Sequence, residues 1–466
     1  MTRSSRPASF LRPVAARRRG RGLLRPGRIL SVLAGLACLA SSPAGAQPAS
    51  PPTTSFPAPQ SVNCPEFLAN GVRCVRGPGL KGGYYWMAVP AVWNGVLVVH
   101  AHGGPRLGAP EIDDSVEDLE RFSMLVDQGY AWAGHTYRRG GYGVRMAAED
   151  TEDLRRIAWA HLGRPRLTVL HGQSWGGNVA AKAAELYARD AEGRVVWDGV
   201  VTTNGLLAGG TRGYEFRADL RAVYQYVCRN HPRPDEAAYP VWRGLPDDSD
   251  LTRAELTRRV EQCTGVDRPD ARRSPEQRRN LADILGVIGI EEDQLVSHLA
   301  WATFTFRDMV GRRLDGLNPF DNSDTVYQGS HDDTALNAGV ERFAADPQAV
   351  ARLAYDADLS GLIVAPMITL HAKYDPTVFV EHEAMYRETV ARAGRDDLLV
   401  QTFTDEDQHS RLSGAEYLAV FDALVAWIDT GERPIPAAIA SRCEAQPQPH
   451  RAEGCHFDTD FHPTTD

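Results

Sequence analysis

Short apolar runs along the chain alternate with segments in which apolar residues recur at helical spacing. The run that begins at Val96 reads Val-Leu-Val-Val-His, which is typical of a strand buried in a parallel sheet. Such patterns predict strands at 84–89, 96–102, 130–134, 167–170, 199–203, 363–370 and 398–403, and helices at 115–127, 148–162, 177–189, 379–393 and 414–429. Strands that alternate with helices predict a mostly parallel sheet flanked by helices.

One long segment, from 206 to 360, breaks this alternation because its pattern is almost entirely helical. We therefore predict a core in two parts, 63–205 and 361–434, with a large helical insertion between them. The insertion is either a cap over a substrate site or a surface decoration. Its aromatic residues either line a pocket or belong to the insertion's own core; they are Trp242, Trp301, Phe304 and Phe306.

The amino terminus has the pattern of an export signal. Residues 1–28 carry nine arginines and no acidic residue, an uncharged apolar stretch follows over 29–40, and small residues end at Ala46. We predict a signal peptide over 1–46, and hence a secreted or periplasmic protein with no membrane span after signal removal. The alternative is a membrane anchor, for which the apolar run is short. A Pro-rich linker is predicted over 47–62 and a polar tail over 435–466.

Charge narrows the choice of partners. Loss of the nine signal-peptide arginines would take the formal charge from -9 to about -18. No basic cluster remains outside that segment, so nucleic acid is an unlikely partner by composition and a small-molecule or peptide substrate is expected.

Six cysteines follow the predicted signal peptide, an even number that suggests disulfides in an exported protein. They are Cys64, Cys74, Cys228, Cys263, Cys443 and Cys455. Six cysteines allow fifteen pairings, of which neighbour pairing along the chain is the simplest, and some could instead be buried thiols. None has the spacing of a zinc site, so we predict neither a metal nor a cofactor.

The strongest chemical motif is Gly172-Gln-Ser174-Trp-Gly176-Gly. It directly follows the predicted strand 167–170 and opens a predicted helix, which is the context that a nucleophile elbow requires. Gly172 and Gly176 allow the strand and the helix to approach closely, while Ser174 is held at the turn. Trp175 would supply a backbone N–H to a developing oxyanion at the start of the helix.

A second glycine turn, His102-Gly103-Gly104-Pro105, ends the strand that begins at Val96. Pro105 has no N–H to donate. Either Gly103 or Gly104 would therefore complete an oxyanion hole, unless the segment is an ordinary turn.

An acid and a base are expected further along the chain, in the order Ser, acid, His. Asp375 follows the strand 363–370, and His409 lies between the last strand and the last long helix of the predicted core. His409 would accept the Ser174 proton while Asp375 fixes its tautomer. Asp405 and Asp407 are reserve acids, and the competing histidines flank Asp375 or lie in the tail: His371, His382, His450, His456 and His462.

Taken together, these residues resemble the α/β-hydrolase superfamily. The segment 96–190 is similar to the catalytic domains of prolyl-oligopeptidase-type and proline-iminopeptidase-type enzymes, through the turn at His102, Gly129-Tyr130, the Arg-Gly segment 137–143 and the Ser-Trp-Gly elbow. The resemblance implies an α/β-hydrolase fold with a cap insertion. It departs from those peptidases at Arg106, where iminopeptidases have a further glycine, and in having no room for a β-propeller.

These features predict a secreted serine hydrolase that cleaves carboxylic esters through an acyl-enzyme. A serine exopeptidase is the alternative, in which Glu215, Asp219 or Asp235 of the insertion would bind a free α-amino group. A non-catalytic binding protein on the same scaffold is the third possibility. Fold analogy does not choose among substrates.

Overall fold

The computed structural model describes residues 56–465; the predicted signal peptide (1–46) and most of the predicted linker (47–62) lie outside them. Within these residues, nine strands form a single sheet. They are β1 Gln60–Val62, β2 Arg73–Pro78, β3 Tyr84–Val89, β4 Val96–Ala101, β5 Ala131–His135, β6 Leu167–Gln173, β7 Gly199–Thr203, β8 Met367–Ala372 and β9 Leu399–Thr404.

The sheet order is β1-β2-β3-β5-β4-β6-β7-β8-β9. Strands β1, β2, β3 and β5 pair antiparallel, and every pairing from β5 to β9 is parallel. Parallel strands end at the same edge of a sheet. The register therefore brings the ends of β4 and β6 together at Ala101 and Gly172, and those of β8 and β9 together at Ala372 and Thr404.

The seven predicted strands are confirmed, with shifts at their ends. The largest shift is at β8, which begins at Met367 although its apolar run begins at Ile363. Pro366 accounts for this delay because it has no N–H to donate to a neighbouring strand. Strands β1 and β2 were not predicted: β2 contains Gly77 and Pro78, which weaken a strand pattern, and β1 is only three residues long.

Fourteen α-helices lie in the described part of the chain: α1 Val116–Arg121, α2 Ser123–Asp127, α3 Val144–Leu162, α4 Trp175–Leu186, α5 Gly209–Arg212, α6 Glu215–Cys228, α7 Arg253–Thr264, α8 Pro275–Ile288, α9 Leu295–Phe306, α10 Asp333–Gly339, α11 Pro347–Ala357, α12 Glu381–Arg392, α13 Gly414–Thr430 and α14 Pro436–Glu444. A π-helical segment, Arg307–Arg313, continues α9.

The helices cover both faces of the sheet. Alternate residues of β4 point to opposite faces: Leu97 and Val99 belong to the core that includes α3 and α4, whereas Val96 and Val98 belong to the core that includes α13. Burial on both faces explains why the strand sequence is continuously apolar rather than alternating.

Helix α3 begins at Val144, four residues before its predicted start. The Asp356 carboxylate, from α11, accepts hydrogen bonds from the backbone N–H groups of Val144 (2.9 Å) and Arg145 (3.2 Å). An acidic side chain at this end satisfies free N–H groups and complements the helix dipole. This helix start is therefore fixed by a residue distant in sequence.

The segment between β7 and β8 contains helices α5 to α11, and its two ends meet. The Asp358 carboxylate accepts hydrogen bonds from Thr211 N (2.9 Å) and Thr211 Oγ1 (2.6 Å). The carbonyl oxygen of Asp358 accepts from Lys182 Nζ of α4 at 2.5 Å. The exit and the return of this helical insertion are thus joined to each other and to the core.

All six cysteines of the described residues form disulfides, in the neighbour pairing: Cys64–Cys74, Cys228–Cys263 and Cys443–Cys455. The bridges join cysteines 10, 35 and 12 residues apart, and each restricts the unfolded chain. Among the described residues, no helix combines the length and the apolar character that a membrane crossing requires. The mostly parallel sheet, its two helical layers and the helical insertion confirm the predicted α/β-hydrolase fold.

Candidate active site

Ser174 lies on a sharp turn between β6 and α4. Its backbone angles are φ 60° and ψ −128°, a region that residues other than glycine rarely occupy and that carries a cost of roughly 1–3 kcal/mol. The turn is held on both sides, because Ser174 N donates to Thr203 O (3.0 Å) and Ser174 O accepts from Leu206 N (2.9 Å). These are the conformation and the strand–turn–helix context of a nucleophile elbow.

The glycines around the elbow permit close contact between backbone segments. A Cβ atom at Gly172 would lie 2.1 Å from the carbonyl oxygen of Gly176, and one at Gly176 would lie 2.1 Å from that of Ala101. No side chain larger than hydrogen fits at such distances, so both positions require glycine for packing. Helix α4 can therefore start directly against the end of β4.

His409 connects Ser174 with Asp375. Its Nε2 lies 2.7 Å from Ser174 Oγ, and its Nδ1 lies 2.8 Å and 3.0 Å from the two Asp375 carboxylate oxygens. With Nδ1–H donating to Asp375, Nε2 is free to accept from the serine hydroxyl. The structure brings together three residues that sequence reasoning placed in this order.

Asp375 is completely buried. Its Oδ1 also accepts from Thr377 N (2.7 Å) and Val378 N (3.0 Å), which satisfies the carboxylate without solvent. The reserve acids Asp405 and Asp407 are exposed, and the carboxylate that contacts His409 Nδ1 is that of Asp375.

The backbone around His409 is held by two side chains that the sequence analysis did not single out as site residues. Asn204, at the end of β7, donates to His409 O (2.5 Å) while its Oδ1 accepts from Ala372 N (2.8 Å). Gln173 also donates to His409 O (3.1 Å). Asn204 has φ 45°, and a non-glycine residue with positive φ directly after a strand is structurally unusual.

The backbone N–H of Trp175, with that of either Gly103 or Gly104, was predicted to stabilise an oxyanion, and two of these three residues lie beside Ser174. Trp175 is the first residue of α4. A Cβ atom at Gly103 would be 3.4 Å from Ser174 Cβ, whereas one at Gly104 would meet no atom within 4 Å. Gly103 is therefore adjacent to the serine, and Gly104, with φ 69°, borders open space.

Buried polar side chains brace the turn that contains Gly103. His102 Nδ1 lies 2.5 Å from Asp118 Oδ2, and Arg106 Nε donates to His102 Nε2 (2.8 Å). Burial alone would raise the pKa of Asp118, but the charges and hydrogen bonds of His102 and His100 hold it well below its usual range. Asp118 is thus an ionised buried anchor for this turn.

Aromatic residues from the core and the insertion meet beside the elbow. The rings of Trp175 and Tyr142 lie 6.0 Å apart, those of Tyr142 and Tyr214 5.9 Å, and those of Tyr214 and Trp301 4.8 Å. Of the four insertion aromatics singled out in the sequence, Trp301 therefore belongs to this wall. Phe306 packs on Phe320 within the insertion.

A buried arginine lies between this aromatic wall and the Asp375 loop. The Arg217 guanidinium sits 4.6 Å from the centre of the Trp301 ring and donates to Thr377 O (3.2 Å). Burial lowers the pKa of Arg217 to about 10, so the group keeps its charge at neutral pH. The insertion therefore places the positive charge of Arg217 close to the Asp375 loop and the aromatic wall.

His456 of the carboxyl-terminal tail contacts two carboxylates, one from the segment between β9 and His409 and one from α13. His456 Nδ1 lies 2.9 Å from Glu406 Oε1 and 3.1 Å from Glu416 Oε1. Burial, and secondarily the charge of Glu406, raise the pKa of Glu416 to about 7. The three side chains bring ligand-type atoms within 4.8 Å of one another, yet Glu416 already accepts backbone hydrogen bonds from Ser413 and His456.

We expect Glu416 to contribute a fall in thermal stability as the pH rises from about 4.5 to about 7. The raised pKa of Glu416 means that the folded state holds its proton over this window while the unfolded state releases it, so the stabilisation is complete below the window and lost above it. Through this group alone, the melting temperature should be about 2–4 °C lower at pH 7.5 than at pH 5. Glu406→Gln should reduce the difference in melting temperature between the two pH values, because it removes a charge beside Glu416. Asp407→Asn, at an exposed neighbouring position, is the control and should leave the difference unchanged. Equal pH dependence in the unsubstituted protein and both variants would contradict the assignment to Glu416.

No protein-family model matches the chain, and no curated protein matches it. Several solved structures do. The rice cell wall degrading esterase LipA from Xanthomonas oryzae is 15% identical, with 77% of this chain and 90% of that chain covered and a TM-score of 0.37. An esterase from Aspergillus oryzae is 14% identical, with 78% of this chain and 81% of that chain covered and a TM-score of 0.41. Candida antarctica lipase A is 11% identical, with 78% of this chain and 79% of that chain covered and a TM-score of 0.40. At this level the likeness extends no further than the fold, which the sheet order and the elbow establish independently.

Proposed function

We propose that the chain is a serine hydrolase that cleaves carboxylic esters. The observation that carries the proposal is the position of His409, which joins Ser174 Oγ (2.7 Å) to the buried Asp375 carboxylate (2.8 Å) at a nucleophile elbow. A nucleophile, a base within hydrogen-bond reach and a group that orients the base are the parts that nucleophilic acyl transfer requires.

In the proposed reaction, Ser174 Oγ attacks the ester carbonyl while its proton moves to His409 Nε2. Asp375 stabilises the imidazolium that forms. The negative oxygen of the tetrahedral intermediate accepts hydrogen bonds from the N–H of Trp175 and from that of Gly103 or Gly104. His409 then gives the proton to the leaving alcohol, and water, activated by the same histidine, releases the acid from the acyl-enzyme.

The charge beside the site favours an ester over a peptide with a free amino terminus. The buried Arg217 guanidinium, which contacts Trp301 and the Thr377 carbonyl, would repel a protonated α-amino group. Of the three insertion carboxylates named for an exopeptidase, Asp219 already accepts a hydrogen bond from Tyr327 (2.6 Å), Asp235 is exposed, and Glu215 is half-buried at the start of α6. We therefore prefer ester cleavage.

We also propose that 206–360 serves as a cap over the site, between core segments 63–205 and 361–434. The packing of Tyr214 and Trp301 next to Tyr142 and Trp175 supports this role, because it puts insertion side chains next to the nucleophile turn. Export is part of the proposal: three disulfides are typical of oxidising compartments, and they agree with a signal peptide over 1–46.

One experiment separates the candidate functions. The purified protein is assayed on p-nitrophenyl butyrate, on aminoacyl p-nitroanilides and on the same anilides N-acetylated, and it is also treated with a fluorophosphonate. We expect ester turnover and covalent labelling of Ser174, with little anilide cleavage. Cleavage of anilides only when their amino group is free would establish the exopeptidase instead, and absence of both turnover and labelling would favour a binding protein.

A further inference from the structure

A cavity of about 600 Å³ lies between the core and the helical insertion. One wall is the loop after β5 with the start of α3, and the other is the π-helical segment with α11. Cavities of this size at the junction of two structural units commonly bind small molecules. Ser174, Asp375 and His409 do not line it, although Tyr142 of the aromatic wall beside Ser174 does.

The walls of the cavity are mainly apolar. Met146 comes from α3, Met309 from the π-helical segment, Leu314 from the residue after it, and Leu353 from α11. Methionine side chains adapt to ligands of different shape, and π-helical turns occur frequently at functional sites. The lining therefore suits a hydrocarbon or aryl group.

One cation of the lining makes no hydrogen bond to a carboxylate among the described residues. Arg139 is half-buried and donates to two backbone carbonyls, those of Gly140 (3.0 Å) and Tyr142 (3.2 Å). By contrast, Arg313 pairs with Asp308 at 3.0 Å, and Arg352 pairs with Asp315. A guanidinium in this position is suited to bind a carboxylate through two parallel hydrogen bonds.

The acidic residue of the lining does not fill that role. Asp356 already accepts hydrogen bonds from the first two N–H groups of α3, at 2.9 and 3.2 Å, so its charge is used at the helix start. The cavity thus combines apolar walls with one positive group that lacks a carboxylate contact.

We propose that this cavity is a second ligand site, which binds a small carboxylic acid with an apolar body. The carboxylate would contact Arg139, and the apolar body would lie against Met146, Met309, Leu314 and Leu353. This inference does not depend on the proposed esterase activity. The acid could be a product of ester cleavage or a compound from elsewhere, since both present the same chemistry to the cavity.

Binding is measured by calorimetry on the Ser174→Ala protein, so that no reaction can occur. The probes are decanoate and its uncharged counterpart 1-decanol. We expect decanoate to bind and decanol to bind about tenfold more weakly or not at all, because only the acid can pair with Arg139. Equal binding of the two probes, or no binding of decanoate, would overturn the proposal.

Two variants locate the site. Arg139→Gln should weaken decanoate binding about tenfold or more, and Ala351→Trp, at an exposed position of the cavity wall, should block it. Arg166→Gln is the matched control, since Arg166 pairs with Asp429 elsewhere on the surface. If Arg139→Gln does not fold, Ala351→Trp still tests whether decanoate binds in the cavity, and the comparison with decanol still tests whether the carboxylate is required. Unchanged binding in Ala351→Trp would show that decanoate binds elsewhere.

A kinetic measurement distinguishes a separate site from an extension of the reaction cleft. In the protein with Ser174 restored, the ratio of p-nitrophenyl decanoate to p-nitrophenyl acetate hydrolysis should be the same with and without Ala351→Trp. A ratio that changes about tenfold would identify the cavity as the acyl pocket of the reaction and overturn its assignment as a second site. Decanoate made during that reaction should compete with labelled decanoate in the protein that contains Ser174. The Ser174→Ala protein mixed with the same ester makes no decanoate and should bind the labelled acid undiminished, as it would an acid supplied from elsewhere.

Discussion

Replacing Ser174 with alanine is expected to lower kcat for ester hydrolysis by about 10⁶-fold. The hydroxyl is the only part of the residue that contacts His409 Nε2, at 2.7 Å, and no other nucleophile occupies the elbow. The backbone hydrogen bonds to Thr203 and Leu206 do not involve the side chain, so the turn should persist. The melting temperature should accordingly change little. Steady-state kinetics on p-nitrophenyl butyrate and a melting curve measure the two effects.

Ser441→Ala is the control for this variant, because Ser441 is exposed on α14 and its hydroxyl bonds only the helix backbone, at Ala437 O. It should retain full activity. A Ser174→Ala protein that is folded and hydrolyses the ester at the original rate would eliminate the acyl-enzyme mechanism.

Asp375→Asn is expected to lower kcat by about 10⁴-fold. The carboxylate accepts the His409 Nδ1 proton at 2.8 Å and thereby leaves Nε2 able to accept from Ser174. An amide can present its N–H₂ group to Nδ1, which favours the tautomer with the proton on Nε2. Backbone donors at Thr377 and Val378 would still find the amide oxygen, so the loop should keep its conformation.

Asp405→Asn tests whether Asp405, rather than Asp375, is the acid that orients His409. Asp405 is exposed and lies in the segment between β9 and His409, where sequence alone made it a reserve acid. We expect this variant to keep nearly all of its activity. A large loss in Asp405→Asn together with a small loss in Asp375→Asn would exchange the roles of the two residues.

The elbow and the arrangement of Ser174, Asp375 and His409 could be predicted, because their sequence signals are local or follow a fixed order along the chain. Gly172, Ser174 and Gly176 fall within five residues, between an apolar strand and a helix. Asp375 and His409 follow β8 and β9, and parallel strands bring their carboxyl ends to one edge. Continuous apolar runs likewise predicted the central strands, because burial on both faces of the sheet makes their sequences distinctive.

Residues that act across long sequence distances could not be predicted in this way. Asn204 lies just after β7, where its sequence neighbours resemble any strand end, yet its amide reaches His409 O, 205 residues later. The start of α3 depends on Asp356, 212 residues further on. Such contacts arise only when segments far apart in the sequence have packed together, so no periodicity in the chain signals them. The cavity beside Arg139 is formed by the same packing.

The meeting of the insertion's two ends has a consequence for how this chain could diversify. Because Thr211 bonds the Asp358 carboxylate and Lys182 of the core bonds the Asp358 carbonyl, the insertion leaves and re-enters the core at one place. A connection whose ends lie together can change in length at a small cost in loop-closure entropy, because that cost grows only slowly with the number of residues. Exchanging it for another helical unit would leave Ser174, Asp375 and His409 on the core, but it would remove the Asp356 contacts at the start of α3 and the Arg217 contact with Thr377 O. In such chimeras the inserted unit would determine which substrate binds, and the residues on the core would determine which reaction takes place.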